Sequence, residues 1–270
     1  MICFPNAKIN LGLHVTEKRA DGFHNIETVF YPVGWNDALE VIEAKSPEPE
    51  FNLHVSGLPV TGNTTDNLLY KAFTLIRQIK PLPAMDVYLH KVLPMGAGLG
   101  GGSSDAAFFI NLVNEQFDLN FPEEERLQIA RQLGSDCAFF IKNKPVLATQ
   151  KGDVFEEINL NLAHLFIAII YPNVHSNTKE AYSLVKPQRP SHSLPDILTQ
   201  PVSTWKHELV NDFEKSIFSV YPVVEKTKND LYDLGALYAC MSGSGSAVFG
   251  LFEHRPVIET SFPHWIGKLT

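Results

Sequence analysis

A chain of 270 residues that is 44% apolar and only 19% charged has too much to bury to remain disordered and too little charge to form an extended coiled coil. Its 22 basic and 30 acidic side chains leave a formal charge of −8, a sign that repels polyanions at long range. That excludes a general binder of nucleic acid or anionic membranes, so any phosphate recognition must be local. Three widely spaced cysteines, Cys3, Cys137 and Cys240, fit no metal spacing and read as reduced thiols. With no signal-like apolar run at the N-terminus and no stretch near 18 consecutive apolar residues, the expectation is a cytoplasmic protein that does not cross a membrane.

From Lys8 to Val15 the sequence alternates: Ile9, Leu11, Leu13 and Val15 on one face, Lys8, Asn10, Gly12 and His14 on the other, which predicts a half-buried strand. Further strands are predicted at 23–33, 39–44 and 51–56, separated by turn chemistry at Asp21-Gly22, Asn36-Asp37 and Ser46-Pro47. Thr65-Asp66 are cap candidates for a first helix carrying Leu69, Ala72, Phe73 and Ile76 at helical spacing, ended by Pro81 and Pro83. After a strand over 85–92 and a glycine-rich loop, Ala106, Phe109, Ile110, Val113 and Phe117 mark one apolar helix face. Pro122 and Glu123–Glu125 suit a helix first turn, Gly134 its far end, and Ser135 can cap a short helix that places Asp136 in its first turn. The remainder is mixed. Strands are expected at 145–149, 154–158, 165–171, 236–241 and 247–252, and helices from about Thr178, over 203–210 and over 223–234. The Pro- and Ser-rich stretch 187–201 reads as a linker, and 253–270 has no clear period. Strands grouped before helices indicate an α+β fold in two domains, 1–150 and 151–270.

Five of the 17 glycines fall between Pro94 and Ala107, where a strand gives way to a helix. Glycines there let successive backbone N–H groups point into one concavity, and the helix start adds partial positive charge, so the loop suits an oligophosphate without a basic patch. Gly96, Gly98 and Gly101 also satisfy the dinucleotide pattern G-x-G-x-x-G, yet the following helix leads towards another helix where that fold needs a strand. Residues 57–64 resemble a P-loop frame with Asn63 in place of the required lysine, and His207-Glu208 lacks the second zinc ligand because position 211 is Asn. Lys8 and Asn10 share a strand face, where they could meet a substrate or simply face solvent. Asp136 could be a base or could only complement a helix dipole.

Three separated segments bear on these alternatives: Pro5-Asn6-Ala7-Lys8-Ile9-Asn10-Leu11, the Pro94–Ala107 loop, and Met241-Ser242-Gly243-Ser244-Gly245-Ser246-Ala247. Together, and in this order, they resemble the three motifs of the GHMP kinase superfamily. Lys18–His24, Leu133-Gly134-Ser135-Asp136 and Val210-Asn211-Asp212-Phe213-Glu214 resemble the branch of that family whose acceptor is a cytidine-diphosphate-linked methylerythritol in the non-mevalonate route to isoprenoid precursors.

The resemblance implies a ribosomal-S5-like N-terminal domain plus an α+β C-terminal domain, and an ATP-dependent transfer to the 2-hydroxyl of that alcohol. It implies Asp136 as the base, with Lys8 holding it ionised and steadying developing charge, and Asn10 orienting the substrate. Pro94, Met95, Gly96, Ala97, Gly98, Leu99, Gly100, Gly101, Gly102, Ser103 and Ser104 would wrap the ATP phosphates, and Asn67 and Lys91 would line the adenosine pocket. His24 would read the cytosine edge between Phe23 and Tyr182, and Gly243, Ser244 and Gly245 would approach the diphosphate. Position 23 carries Phe where the family often has Tyr, which keeps stacking but drops a phenolic hydrogen bond. Mg²⁺ is expected with ATP, with Ser103, Ser104 and Asp105 as possible oxygen ligands. The expected partners are these small molecules, not nucleic acid or membrane, for a monomer or weak homodimer. The rivals are a sibling kinase acting on homoserine, mevalonate or a sugar, a NAD-dependent oxidoreductase and a non-catalytic nucleotide sensor.

Overall fold

The computed structural model describes residues 1–176, 178, 181, 182 and 185–269. In chain order the strands are β1 (Ile2–Cys3), β2 (Asn6–Lys18), β3 (His24–Asn36), β4 (Ala38–Glu43), β5 (Phe51–Gly57), β6 (Met85–Lys91), β7 (Val146–Thr149), β8 (Val154–Glu157), β9 (Phe166–Ile170), β10 (Tyr238–Met241), β11 (Val248–Phe252) and β12 (His264–Lys268). The helices are α1 (Leu68–Ile79), α2 (Gly101–Gln116), α3 (Glu123–Leu133), α4 (Cys137–Lys142), α5 (Leu194–Leu198), α6 (Glu214–Val220) and α7 (Pro222–Asp233). They form two compact units that do not follow a single cut near residue 150. One takes Met1–Ala7, Asn36–Met95 and Gly100–Asn143, the other Lys8–Trp35, Gly96–Leu99 and Lys144–Thr270.

In the first unit a sheet of order β1-β4-β6-β5 pairs β4 with β6 antiparallel and β5 with β6 parallel. Its buried Leu39, Val41, Val87 and Leu89 share the unit's core with α1 and α2. On α1 the residues at helical spacing, Leu69, Ala72, Phe73 and Ile76, are all buried. Each of the larger three is worth roughly 1.5–3 kcal/mol of burial. The cap differs from expectation: Thr64–Asp66 form one 3₁₀ turn, and Asn67 caps α1 by accepting the Leu69 N–H on Oδ1 at 2.9 Å. Gly134 does end α3, its N–H bonding the Ala130 carbonyl. Asp136, not Ser135, holds the cap position of α4, and its side chain makes no capping bond. Because α2 runs on to α3 with no strand between them, the dinucleotide-fold reading falls.

The second unit carries two four-stranded sheets, β2-β3-β7-β8 and β10-β11-β9-β12. Leu13, Val15, Ile26, Ile170, Phe213, Ile217, Leu231, Val248 and Phe252 meet in one cluster. Strand β2 is not half-buried as its alternation suggested: Ile9 and Leu11 are fully buried, and so, to within a few per cent, are Lys8, Asn10 and His14. Polar side chains buried on a strand's second face need internal partners: Lys8 and Asn10 have them, and His14 Nδ1 lies 3.5 Å from Asp212 Oδ1, while its Nε2 has none among the described residues. The stretch read as a linker holds α5, capped by Ser193, whose Leu194, Ile197 and Leu198 are buried. The tail left without a role supplies β12, paired antiparallel with β9. Helix α6 was not foreseen, and the helix expected from Thr178 lies partly outside the described residues.

Candidate active site

Within the second unit, Lys8 donates from Nζ to Asn10 Oδ1 at 2.6 Å, and Asn10 Nδ2 donates to Thr28 Oγ1 at 2.9 Å. Thr28 in turn donates to the Gly12 carbonyl at 2.5 Å. This relay fixes which way the Asn10 amide points: its oxygen must face the ammonium because its nitrogen faces a hydroxyl. The ammonium also lies 5.0 Å from the centre of the Phe30 ring. Two solvated side chains on an open sheet face are therefore ruled out. A charge kept this deep requires a built environment.

The glycine loop alternates anchors and turns. Ala97 and Leu99 are buried, with the Ala97 carbonyl accepting from Ala247 N and the Leu99 carbonyl from Lys8 N, each at 3.0 Å. Between them Gly98 sits at φ +78°, and a Cβ there would lie 2.0 Å from the Ser242 carbonyl oxygen. Only glycine fits both the backbone and the space. Ser242 Oγ donates to the Gly98 carbonyl at 2.8 Å and reaches Asn10 Oδ1 at 3.3 Å. Asn211 Nδ2 holds the Met241 and Gly243 carbonyls at 2.8 Å, and Glu214 Oε1 accepts the Met241 N–H at 2.9 Å. The ring of exposed His175 fills the place a Gly96 side chain would need. Ser244 shares a 3.0 Å hydroxyl contact with Thr178.

In the first unit, Gly100 takes the left-handed conformation at the start of α2, so Gly101, Gly102, Ser103 and Ser104 form its first turn. The Ser104 N–H bonds the Gly100 carbonyl, and the N–H groups of Gly101, Gly102 and Ser103 ahead of it make an anion-binding feature of the kind expected. Lys91 and Asp105 are employed differently from expectation. The Lys91 ammonium is 2% exposed and bonds Asp37, and also Asp105 Oδ2 at 2.8 Å, instead of lining an open pocket. Burial pulls its pKa down, but the two carboxylates outweigh that and hold it above the ordinary lysine value. Burial, only partly offset by Lys91, pushes Asp105 up to about 7. Asp105 is buried with Oδ2 engaged by Lys91, and among the described residues its Oδ1 and Ser104 Oγ are buried without a hydrogen-bond partner, which leaves half-buried Ser103 as the accessible oxygen of the three. Asp136 is half-buried at the head of α4.

His24 stacks on Tyr182, with ring centres 4.9 Å apart and planes 21° from parallel, and Tyr182 packs edge-on against Phe213 at 4.8 Å. Phe23 is 60% exposed, with the Lys151 ammonium 5.5 Å from its ring. Burial, then Lys18, holds the His24 pKa below its ordinary value, so the ring is neutral at pH 7 and offers one donor and one acceptor.

Sequence reasoning gave no role to Thr28, Asp37 or His175, and marked Glu214 only as the end of the Val210–Glu214 segment, because each acts on residues far along the chain.

Glycine-rich turns at the start of α2, with buried Lys91 beside Gly101, suit a phosphate-bearing ligand. The GHMP kinases N-terminal domain model matches residues 67–144 and the GHMP kinases C-terminal model matches residues 195–260, so the chain belongs to the GHMP kinases. It is 52% identical over 253 residues, 94% of this chain and 92% of that protein, to the 4-diphosphocytidyl-2-C-methyl-D-erythritol kinase of Bacteroides fragilis. It is 51% identical over 257 residues, 95% of this chain and 94% of that one, to the protein of the same name from Cytophaga hutchinsonii. A crystal structure of 4-(cytidine 5'-diphospho)-2C-methyl-D-erythritol kinase superposes with a TM-score of 0.79 at 30% identity, covering 93% of this chain and 90% of that one.

Proposed function

We propose that the chain transfers the γ-phosphoryl group of ATP to the 2-hydroxyl of 4-diphosphocytidyl-2-C-methyl-D-erythritol. The observation that carries this reading is agreement over almost the whole length with relatives bearing that one name. The backbone amides of residues 95–103, which include the start of α2, take the triphosphate. Asn67 flanks the adenosine, His24 reads the cytosine edge between Phe23 and Tyr182, and residues 243–245 meet the diphosphate.

In the transfer, the 2-oxygen bonds to the γ-phosphorus as the bond from that phosphorus to the β,γ-bridging oxygen breaks, ADP leaves, and Asp136 takes the hydroxyl proton. A loose transition state asks little of the base, so positioning and charge neutralisation dominate. Lys8, held on Asn10, supplies the positive charge. Among the described residues no three His, Cys, Asp or Glu side chains gather as a metal cage. Magnesium would therefore be held by phosphate, water and Ser103, neutralising charge on the phosphates.

The test is ADP release with the cytidyl-diphosphate alcohol, mevalonate, homoserine and sugars as acceptors. Turnover with the first alone is the expected result, and preference for another acceptor overturns the reading. Asp136→Asn should lower kcat by on the order of 10²-fold or more while leaving ATP affinity nearly intact. Unchanged turnover in that variant would remove Asp136 from the reaction. If Lys8 and Asp136 act as a couple, the double variant with Lys8→Ala should lose far less than the product of the two single losses.

A further inference from the structure

We propose that Asp37 is a positioning residue for the glycine loop, setting ATP affinity without touching ATP. Ladder pairing of β6 ends at its last residues, His90 opposite Ala38 and Lys91 opposite Gly57. The next two backbone N–H groups, of Val92 and Leu93, have no strand to bond, and buried N–H groups seldom go unpaired. Asp37 takes both on one carboxylate oxygen, at 2.5 and 2.8 Å. Its other oxygen accepts from the Lys91 ammonium, which goes on to Asp105 in the second turn of α2. A Cβ added at Gly101 would lie 3.3 Å from the same Nζ. One buried ammonium therefore ties the strand that leads into the loop to the helix that leads out, and Asp37 orients both that ammonium and the last two residues before Pro94.

Asp37 is 1% exposed with both oxygens engaged, so its influence on a ligand must pass through the loop amides. The inference rests on the reading that these amides receive the triphosphate. A tilt of the loop weakens the charge-assisted hydrogen bonds from its amides to the triphosphate, and losing part of one such bond costs on the order of tenfold in affinity.

Asp37→Asn is isosteric and leaves Lys91 paired with Asp105, but sets an amide NH₂ either against the ammonium or against the two N–H donors. Calorimetric titration with Mg·ATP and no acceptor should show affinity lowered roughly tenfold, with a matching rise in KM for ATP. Both kcat at saturating ATP and KM for the alcohol should stay within about twofold. A core variant of similar melting temperature, Phe109→Leu, should not share the ATP defect. If Asp37→Asn does not fold, Asp37→Ser carries the same test, since its hydroxyl can still accept one N–H. Wild-type ATP affinity in the variant, or an equal rise in both KM values, overturns the role of Asp37. A wild-type protein that does not bind ATP overturns the reading beneath it instead.

Discussion

The two glycine-rich loops are steadied by the same device in different surroundings. At residues 94–104 the support is Asp37, Lys91 and Asp105, whose side chains are 0–5% exposed and carry one positive against two formal negative charges. At residues 242–246 it is Glu214 and Lys228, 2.6 Å apart and 11% and 20% exposed, with Glu214 bonding Met241 N just before that loop begins. In both, a carboxylate satisfies backbone N–H groups at a strand's end while a lysine neutralises it. The difference is water. Solvent can screen Glu214 and Lys228, whereas the first cluster must balance its charges internally.

That contrast predicts unequal costs for the same substitution. Lys91→Met strands two carboxylates out of reach of water and should cost about 3–5 kcal/mol. Lys228→Met leaves a largely buried carboxylate that keeps its bond from Met241 N and some contact with water, and should cost less, about 1–3 kcal/mol. Urea unfolding of the two variants checks this, and equal losses would mean the clusters do not differ as their burial suggests.

A pH dependence follows for the buried cluster. Asp105 is faced by Lys91, Asp37 and the Cys3 thiol, whose own pKa burial and Asp105 push up to about 12. With Asp105 raised from the ordinary 3.8 to about 7, the native state holds one more proton than the unfolded chain between those values. Stability from this group is therefore fully present at low pH and lost as pH rises through about 7. Melting curves between pH 4 and 8 should show that downward contribution in the wild type and lose it in Asp105→Asn. A slope unchanged by the substitution would place the proton elsewhere.

How much of this was legible beforehand depends on the range of the interactions. The helical spacing of Leu69, Ala72, Phe73 and Ile76 and the glycine density before α2 are local signals, and both were realised. Alternation in β2 gave the strand correctly but its burial wrongly, because hydrophobic period reports one face and cannot see that internal partners cover the other. Asp37 was legible only as half of a turn dipeptide. Its role depends on Val92 and Leu93, more than 50 residues away. The segment 187–201 looked like a linker because Pro and Ser dominate its composition, yet three apolar side chains at helical spacing were enough to bury α5.

The smallest expected effect tests the triad from the helix side. Gly101 and Gly102 both lie in the first turn of α2, where alanine would ordinarily gain a few tenths to about 1 kcal/mol by restricting the unfolded chain. A Cβ at Gly102 meets nothing within 4 Å. At Gly101 it meets Leu93 Cβ at 3.2 Å and Lys91 Nζ at 3.3 Å. A solitary lysine would swing aside at little cost, but this one is held by two carboxylates. Gly102→Ala should therefore raise the melting temperature by a degree or more, about what a few tenths of a kcal/mol gives in a domain of this size, while Gly101→Ala should gain nothing or lose. Equal gains at both positions would show that the Lys91 ammonium yields freely, and the rigidity attributed to the buried cluster would go with it.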